Sequence, residues 1–347
     1  MQSAVSMKPY PNCISSYLSN KQTQIKLLLL NDNLLKICYT RKSMDHTLNF
    51  YHRRQDMSLL EAILMGVIQG LTEFLPVSSS GHLAIFKIIF HIETDTGILF
   101  DVLLHLGTLI AIFIVFYKDI FRMVIEGFSI IGDFFTNVKI FFGNIFSKED
   151  QPYHKIIDNS YRKFVMLVIV STIPTGIIGY AASDIVEAAS TVLLVPGCCL
   201  VLTAVLLFVS DMVADGHKTP KNITYSNAFF IGICQGFATL PGLSRSGTTI
   251  TACLLSGFNR KFAVKYSFIM SIPAVLGAVV LELKDISKVS ITASEAGCYV
   301  VGVLCAAVVG YICIKAMLVV VKNKKFKFFA IYCLLAGLVA IGGYFMI

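Results

Sequence analysis

One helix-breaking stretch, present twice inside apolar sequence, constrains this chain more than any other feature. Gln69 to Gly81 reads QGLTEFLPVSSSG, and Gln235 to Gly247 reads QGFATLPGLSRSG. Each copy is entered through Gly-x-x-Gln-Gly. Each then reaches a proline six or seven residues after the glutamine and closes on a serine-rich triplet and a glycine twelve residues after it. Proline ends a helix by removing a backbone donor and clashing with the preceding turn. The Ser-x-Ser-Gly beyond it offers hydroxyls and free N–H groups at the start of a new helix, a ready anion site.

A single copy would read as a kinked span whose serines satisfy freed backbone groups. Two copies in matching halves are a different signal. Paired, Gly/Pro-interrupted apolar segments point to an inverted repeat with its site near the bilayer midplane.

Composition agrees with a membrane setting. The 347 residues are 56% hydrophobic and only 14% charged, with a mean hydropathy of +0.74, against about 25% charge in soluble domains. The net charge of +8 does not point to nucleic acid, because the basic residues lie in the tail and loops with no aromatic-interleaved patch. Basic loops on one side of a membrane explain them better. The ten cysteines sit mostly in apolar segments without metal-type spacing and read as small core residues, not as a disulfide or zinc framework.

Along the chain, residues 1–56 are polar and rich in Asn, Ser, Lys and Tyr, with one apolar run too short to span. This segment is expected to be a disordered N-terminal extension lying upstream of a true start at Met57. The remainder, 57–347, is expected to be one integral membrane domain with repeat halves near 58–212 and 225–346. Full-length apolar spans fall near 98–118, 163–183, 191–212, 263–283, 296–320 and 326–346, and Asp119 to Arg162 suggests helices on the membrane surface. After Pro76 only a short apolar arm remains, about 18 Å long against a hydrocarbon core of about 30 Å, so it should turn back as a re-entrant hairpin. The expected fold is an all-α polytopic membrane protein with six transmembrane helices plus two re-entrant helical hairpins in an inverted-topology repeat. An odd number of crossings per half makes the hairpins enter from opposite faces.

Loop charge orients this arrangement. Fifteen Lys/Arg fall in the loops of one side (Lys118, Arg122, Lys139, Lys148, Lys155, Arg162, Lys218, Lys221, Arg260, Lys261, Lys265, Lys322, Lys324, Lys325, Lys327), against Lys284 and Lys288 on the other. The basic side is expected to be cytoplasmic. The basic tail then falls outside, which sets it apart from the working protein.

The candidate chemistry sits at the two breaks. Gln69 and Glu73 are four apart and share a helix face; a carboxylate at membrane depth is a functional candidate, although it could merely pair with Arg245. Ser78, Ser79 and Ser80 occupy the first turn and His82 follows, either as an acid/base or nucleophilic group or as an interhelical hydrogen-bond donor. On the other hairpin, Arg245 stands between Ser244 and Ser246, after Gly242 and before Thr249. A guanidinium fork among hydroxyls and helix-terminal N–H groups suits a phosphate, and a structural counter-ion for Glu73 is the plainer role. Together these groups make a phosphoryl-transfer constellation. Asp101 and His105 share a face of the first full span and are further candidates to line a cavity, with Gly107 signalling close helix packing. Asp211, Glu282 and Lys315 lie near span ends and should reach the interface.

The segments QGLTEFLPVSSSGH (Gln69 to His82) and PGLSRSGTT (Pro241 to Thr249) resemble the bacterial undecaprenyl-diphosphatases linked to bacitracin resistance, over essentially all of the chain except the tail. The resemblance implies an enzyme of the bacterial cytoplasmic membrane, its site facing the outer side. Such an enzyme removes the terminal phosphate of undecaprenyl diphosphate to regenerate the carrier lipid for peptidoglycan and other envelope polymers, with a divalent cation, Mg²⁺ or Ca²⁺. It further implies that Glu73 binds metal or activates the attacking group, that Ser79 is the nucleophile or a phosphate contact, that His82 is the acid/base partner and that Arg245 clamps phosphate. Ser78, Ser80, Gly242, Ser244, Ser246 and Thr249 would lie beside the phosphate. Gln69 stands where many members carry a second Glu, so a metal site here would join one carboxylate to an amide oxygen, which also ligates hard cations. The partners expected are an isoprenoid lipid diphosphate and membrane lipids, with no nucleic acid and homo-oligomerisation left open. The rival reading is an inverted-repeat transporter or flippase of a lipid phosphate.

Overall fold

The computed structural model describes residues 57–90, 97–147, 150–283, 292–322 and 325–346. The expected N-terminal extension and the loops that carry Lys148, Lys284, Lys288 and Lys324 lie outside these residues. Among the described residues the chain forms twelve α-helices and no strand. They are α1 (Leu59–Phe74), α2 (Ser79–Phe90), α3 (Gly97–Val115), α4 (Tyr117–Ser147), α5 (Ser160–Ala181), α6 (Ser183–Ser190), α7 (Leu194–Met212), α8 (Tyr225–Phe237), α9 (Arg245–Leu255), α10 (Arg260–Leu283), α11 (Ala293–Lys322) and α12 (Phe326–Met346). Five of them, α5, α7, α10, α11 and α12, are long and apolar enough to cross a membrane; α3 and α4, bent by 89° at their junction, make a sixth if the pair is one span.

The two breaks form helical hairpins whose local causes can be read residue by residue. Helix α1 starts on a capping box, with the Ser58 hydroxyl accepting the Glu61 N–H at 3.2 Å and the Glu61 carboxylate accepting the Ser58 N–H at 2.8 Å. It ends at Leu75, extended at φ −69° and ψ 138° as a residue before proline must be. Helix α8 starts the same way on Thr224 and Asn227. The second arms are capped by serines: Ser78 Oγ accepts the Gly81 N–H at 3.3 Å and Ser244 Oγ accepts the Gly247 N–H at 3.1 Å.

Small residues let the first arms lie close against spans. Helix α1 runs along α11, and α8 along α5. A side chain at Gly66 would collide with the Gly302 carbonyl, and one at Gly232 with the Ser171 carbonyl. Helices α7 and α12 pack against each other just as closely through Gly197 and Gly337. The buried core, including Phe74, Leu109, Leu167, Leu200, Ile231, Tyr266 and Met270, fills the space between the hairpins and the spans.

Helix α4 turns away from α3 and exposes Phe121, Phe128, Phe135 and Phe142 along one side. Its polar side is tied down by Arg162, which reaches Glu126 at 3.0 Å and Asp133 at 2.5 Å. An apolar side and an opposing polar side make α4 amphipathic, in keeping with its mixed Phe and charged residues. Asp211 does something the sequence did not suggest: its carboxylate accepts the N–H groups of Phe326 and Lys327 at 3.1 and 2.7 Å and so caps α12. Lys315 is exposed, 4.5 Å from the Tyr311 ring centroid. The eight described cysteines carry free thiols.

Candidate active site

Glu73, in the last turn of α1, is the point on which the polar groups converge. It is buried, with 8% of its surface exposed. Its Oε1 pairs with the Arg245 guanidinium from the first turn of α9. Its Oε2 accepts Gln69 Nε2 at 3.0 Å and the Ser79 hydroxyl at 2.5 Å, and His105 Nε2 stands 3.5 Å away. A carboxylate removed from water needs this many donors, because unpaired it would be neutralised or expelled. Two hairpins far apart in sequence are thus joined through one ion pair.

The pair borders a cavity of about 350 Å³. Thr72, Glu73, Ser78, Ser79, Ser80, Asp101, His105, Thr175, Gln235, Thr239, Ser244 and Arg245 supply its polar wall. Val102, Val186, Leu243, Ala274, Val275 and Ala278 supply the apolar wall. Both Asp101 and His105 line it, while Gly107, about half a turn beyond His105 and so on another side of α3, packs hard against Val303 of α11. Asp101 Oδ2 accepts Lys87 at 2.6 Å and its Oδ1 is buried without a hydrogen bond. The proline-interrupted stretches of α5 and α10, at Pro174 and Pro273, both abut the cavity.

Five other residues singled out from sequence stand near this wall but do not line the cavity. Gln69 holds Glu73 and leaves its own Oε1 buried and unpaired. Gly242 has a φ of +91°, a conformation open to glycine, and its carbonyl accepts Thr203 Oγ1 at 3.0 Å. Ser246 Oγ lies 3.3 Å from Ser244 Oγ, and Thr249 Oγ1 lies 2.6 Å from Ser267 Oγ. His82 turns away: Nδ1 bonds the Ser78 carbonyl at 2.7 Å and Nε2 bonds the Tyr332 hydroxyl at 2.7 Å. Gln235, Thr175 and Thr239 were not singled out from sequence. Gln235 had a signal, since it repeats Gln69 at the same place in the second copy.

Among the described residues no group of three or more His, Cys, Asp or Glu gathers in metal-binding fashion. What does gather is one carboxylate, Glu73, beside one unpaired buried amide oxygen, Gln69 Oε1. That donor set suits a hard cation that keeps several waters and takes its remaining oxygens from substrate phosphates.

A family model described as bacitracin resistance protein BacA matches residues 62–339, a stretch that holds both helix breaks and every residue of the cavity wall. The chain belongs to this family. Among its BacA relatives is an undecaprenyl-diphosphatase of Methanosphaera stadtmanae, 40% identical over 286 residues that cover 82% of this chain and 98% of the relative. Undecaprenyl-diphosphatases of Alkaliphilus metalliredigens and Methanobrevibacter smithii are 38% and 39% identical, covering 82% and 83% of this chain and 98% of each relative.

Proposed function

We propose that this protein is an integral membrane phosphatase that hydrolyses the terminal phosphoanhydride bond of undecaprenyl diphosphate. The products are undecaprenyl phosphate and inorganic phosphate. Recycling of that carrier lipid would serve peptidoglycan and other envelope polymers and confer bacitracin resistance. The observation that carries the reading is the meeting of Glu73, Ser79 and Arg245 at one cavity wall. The Ser79 hydroxyl already donates to Glu73. As Glu73 takes that proton, Oγ attacks the terminal phosphorus and the lipid monophosphate leaves. Water then releases phosphate from the seryl ester. Arg245 offers a planar fork to the phosphoryl oxygens, where charge is held through the transfer. Glu73 and Gln69 would hold Mg²⁺ or Ca²⁺, which when bound neutralises diphosphate charge.

The architecture is read as two inverted halves. Helix α1 runs alongside α11 and α8 alongside α5, so the first arm of each hairpin follows a span from the other half. Six spans and two re-entrant hairpins account for that exchange. The first half of α3, helix α6 and the second half of α10 supply Asp101, Val102, His105, Val186, Ala274, Val275 and Ala278. All three adjoin the loops poor in lysine and arginine, so the cavity faces the outer side of the cell membrane.

Phosphate release from undecaprenyl diphosphate by the purified full chain in detergent tests the reading. A flippase would move lipid and liberate none. EDTA should abolish release and added Mg²⁺ or Ca²⁺ should restore it, whereas full turnover in chelator would remove the metal from the proposal.

A further inference from the structure

Two hydrogen bonds hold the His82 ring off the cavity wall, and they make sense of a strained turn. Ser78 has a φ of +71°, a left-handed conformation disfavoured for any residue with a side chain. Something must hold it there. The Ser78 carbonyl can only accept, so His82 Nδ1 carries the proton of that 2.7 Å bond. Nε2 is then left to accept from the Tyr332 hydroxyl at 2.7 Å, and the two rings stack at 5.6 Å with 9° between their planes. Both imidazole nitrogens are occupied, and neither His82 nor Tyr332 lines the cavity. One residue on, Cys333 Sγ reaches the Pro76 carbonyl at 3.7 Å, so α12 touches the same turn twice.

The second hairpin has a counterpart built from different atoms. Thr203 of α7 donates to the Gly242 carbonyl at 3.0 Å and accepts the Ser244 N–H at 2.9 Å. Each turn is therefore held by a span from the other half of the chain.

We propose that Tyr332 is a positioning residue of the phosphatase. Through His82 it fixes the Ser78 peptide, and so aims Ser79 Oγ at Glu73. This rests on the phosphatase reading above, and it makes His82 a strut where the family resemblance implied an acid/base group. Two readouts separate the claims: phosphate release by the full chain, and hydrogen exchange of the amides at 79–81, which reports the turn without turnover. Tyr332→Phe keeps the stacked ring and removes the hydroxyl. It should lower kcat about tenfold with KM within about twofold and speed exchange at 79–81 by about tenfold, the weight of one hydrogen bond that sets an attacking geometry. His82→Ala should lower kcat on the order of 10²-fold, and adding Tyr332→Phe to it should do no further harm, since the two act as a unit. His82→Asn, whose amide N–H can replace Nδ1–H on the Ser78 carbonyl, should recover most of the loss. Wild-type kcat and exchange in Tyr332→Phe would overturn the strut, and so would His82→Asn as inactive as His82→Ala with exchange restored. If the unaltered chain releases no phosphate, the phosphatase reading fails, and unchanged exchange in Tyr332→Phe still decides against the strut.

Discussion

The two hairpins share a scaffold and differ in what they present on it. Counted from Gln69 and Gln235, the same positions hold Gly66 and Gly232, Gly70 and Gly236, Ser78 and Ser244, Ser80 and Ser246, Gly81 and Gly247. Those shared residues carry the caps and the close packing. Two of the positions that differ carry the groups proposed for the chemistry: Glu73 where the second copy has Thr239, and Ser79 where it has Arg245. One hairpin thus brings a carboxylate and the hydroxyl it orients, the other a cation. Neither suffices for phosphoryl transfer, which needs an activated nucleophile and a clamp on the phosphoryl oxygens at once. A site divided in this way exists only where the two copies meet.

The strongest way to break this division of labour is to erase it. Glu73→Thr gives the first hairpin the residue of the second, and it should lower turnover on the order of 10³-fold, within the range for loss of a general base. Arg245→Lys keeps charge but loses the fork, and should lower turnover about 10²-fold, as does removal of one preorganised donor. Phosphate release and melting temperature measured together decide the matter. Near-normal turnover in Arg245→Lys would reduce the Glu73–Arg245 pair to architecture.

A sharper comparison uses equivalent glycines. A Cβ at Gly81 would lie 2.7 Å from Cα of Gly242, backbone of the opposite turn; at Gly247 it would meet side chains alone, the hairpin's own Ser244 at 3.1 Å and Leu207 of α7 at 3.4 Å. Gly81→Ala therefore pushes the hairpins apart, and a misplacement of about 1 Å lowers rates about 10²-fold. Gly247→Ala should stay within about tenfold of wild type. Equal losses in the two variants would show that the turns do not depend on that contact.

How much of this could be seen in the sequence follows from the same contrast. The breaks were legible because proline, glycine and serine act locally, and because their repetition is rare by chance. Convergence of Glu73, Ser79 and Arg245 followed from the repeat. His105 was visible as a polar group on an apolar helix, but its 3.5 Å approach to Glu73 was not, since it depends on how α3 packs against α11. The bond between His82 and Tyr332 was out of reach, because one tyrosine in an apolar span carries no signal of its partner 250 residues away. Sequence left His82 open between a reactive group and an interhelical hydrogen-bonding one, and the structure sets its ring against Tyr332 of α12. Asp211 read as an interfacial charge because capping of a helix more than a hundred residues on leaves no local pattern.

The smallest effect concerns where the hairpins begin, and there the copies should behave alike. Ser58 and Thr224 each accept the N–H three residues on at 3.2 Å, and each donates its own N–H in return, to the Glu61 carboxylate at 2.8 Å and to Asn227 Oδ1 at 3.4 Å. Replacing a capping hydroxyl with alanine leaves one helix-terminal N–H without its partner, a loss of about 1 kcal/mol. Both caps are exposed, so water can take over part of that bond and hold the loss near the low end. Ser58→Ala and Thr224→Ala should each lower the melting temperature by about 2 °C in a chain of this size. Turnover at 25 °C should remain within about twofold of wild type, because each cap sits more than two helical turns before the residues of the cavity wall. A loss of turnover in Ser58→Ala that Thr224→Ala does not share, at equal melting temperature, would mean that the start of α1 governs how Glu73 is presented. The first hairpin would then be a tuned arm and not one of two interchangeable supports.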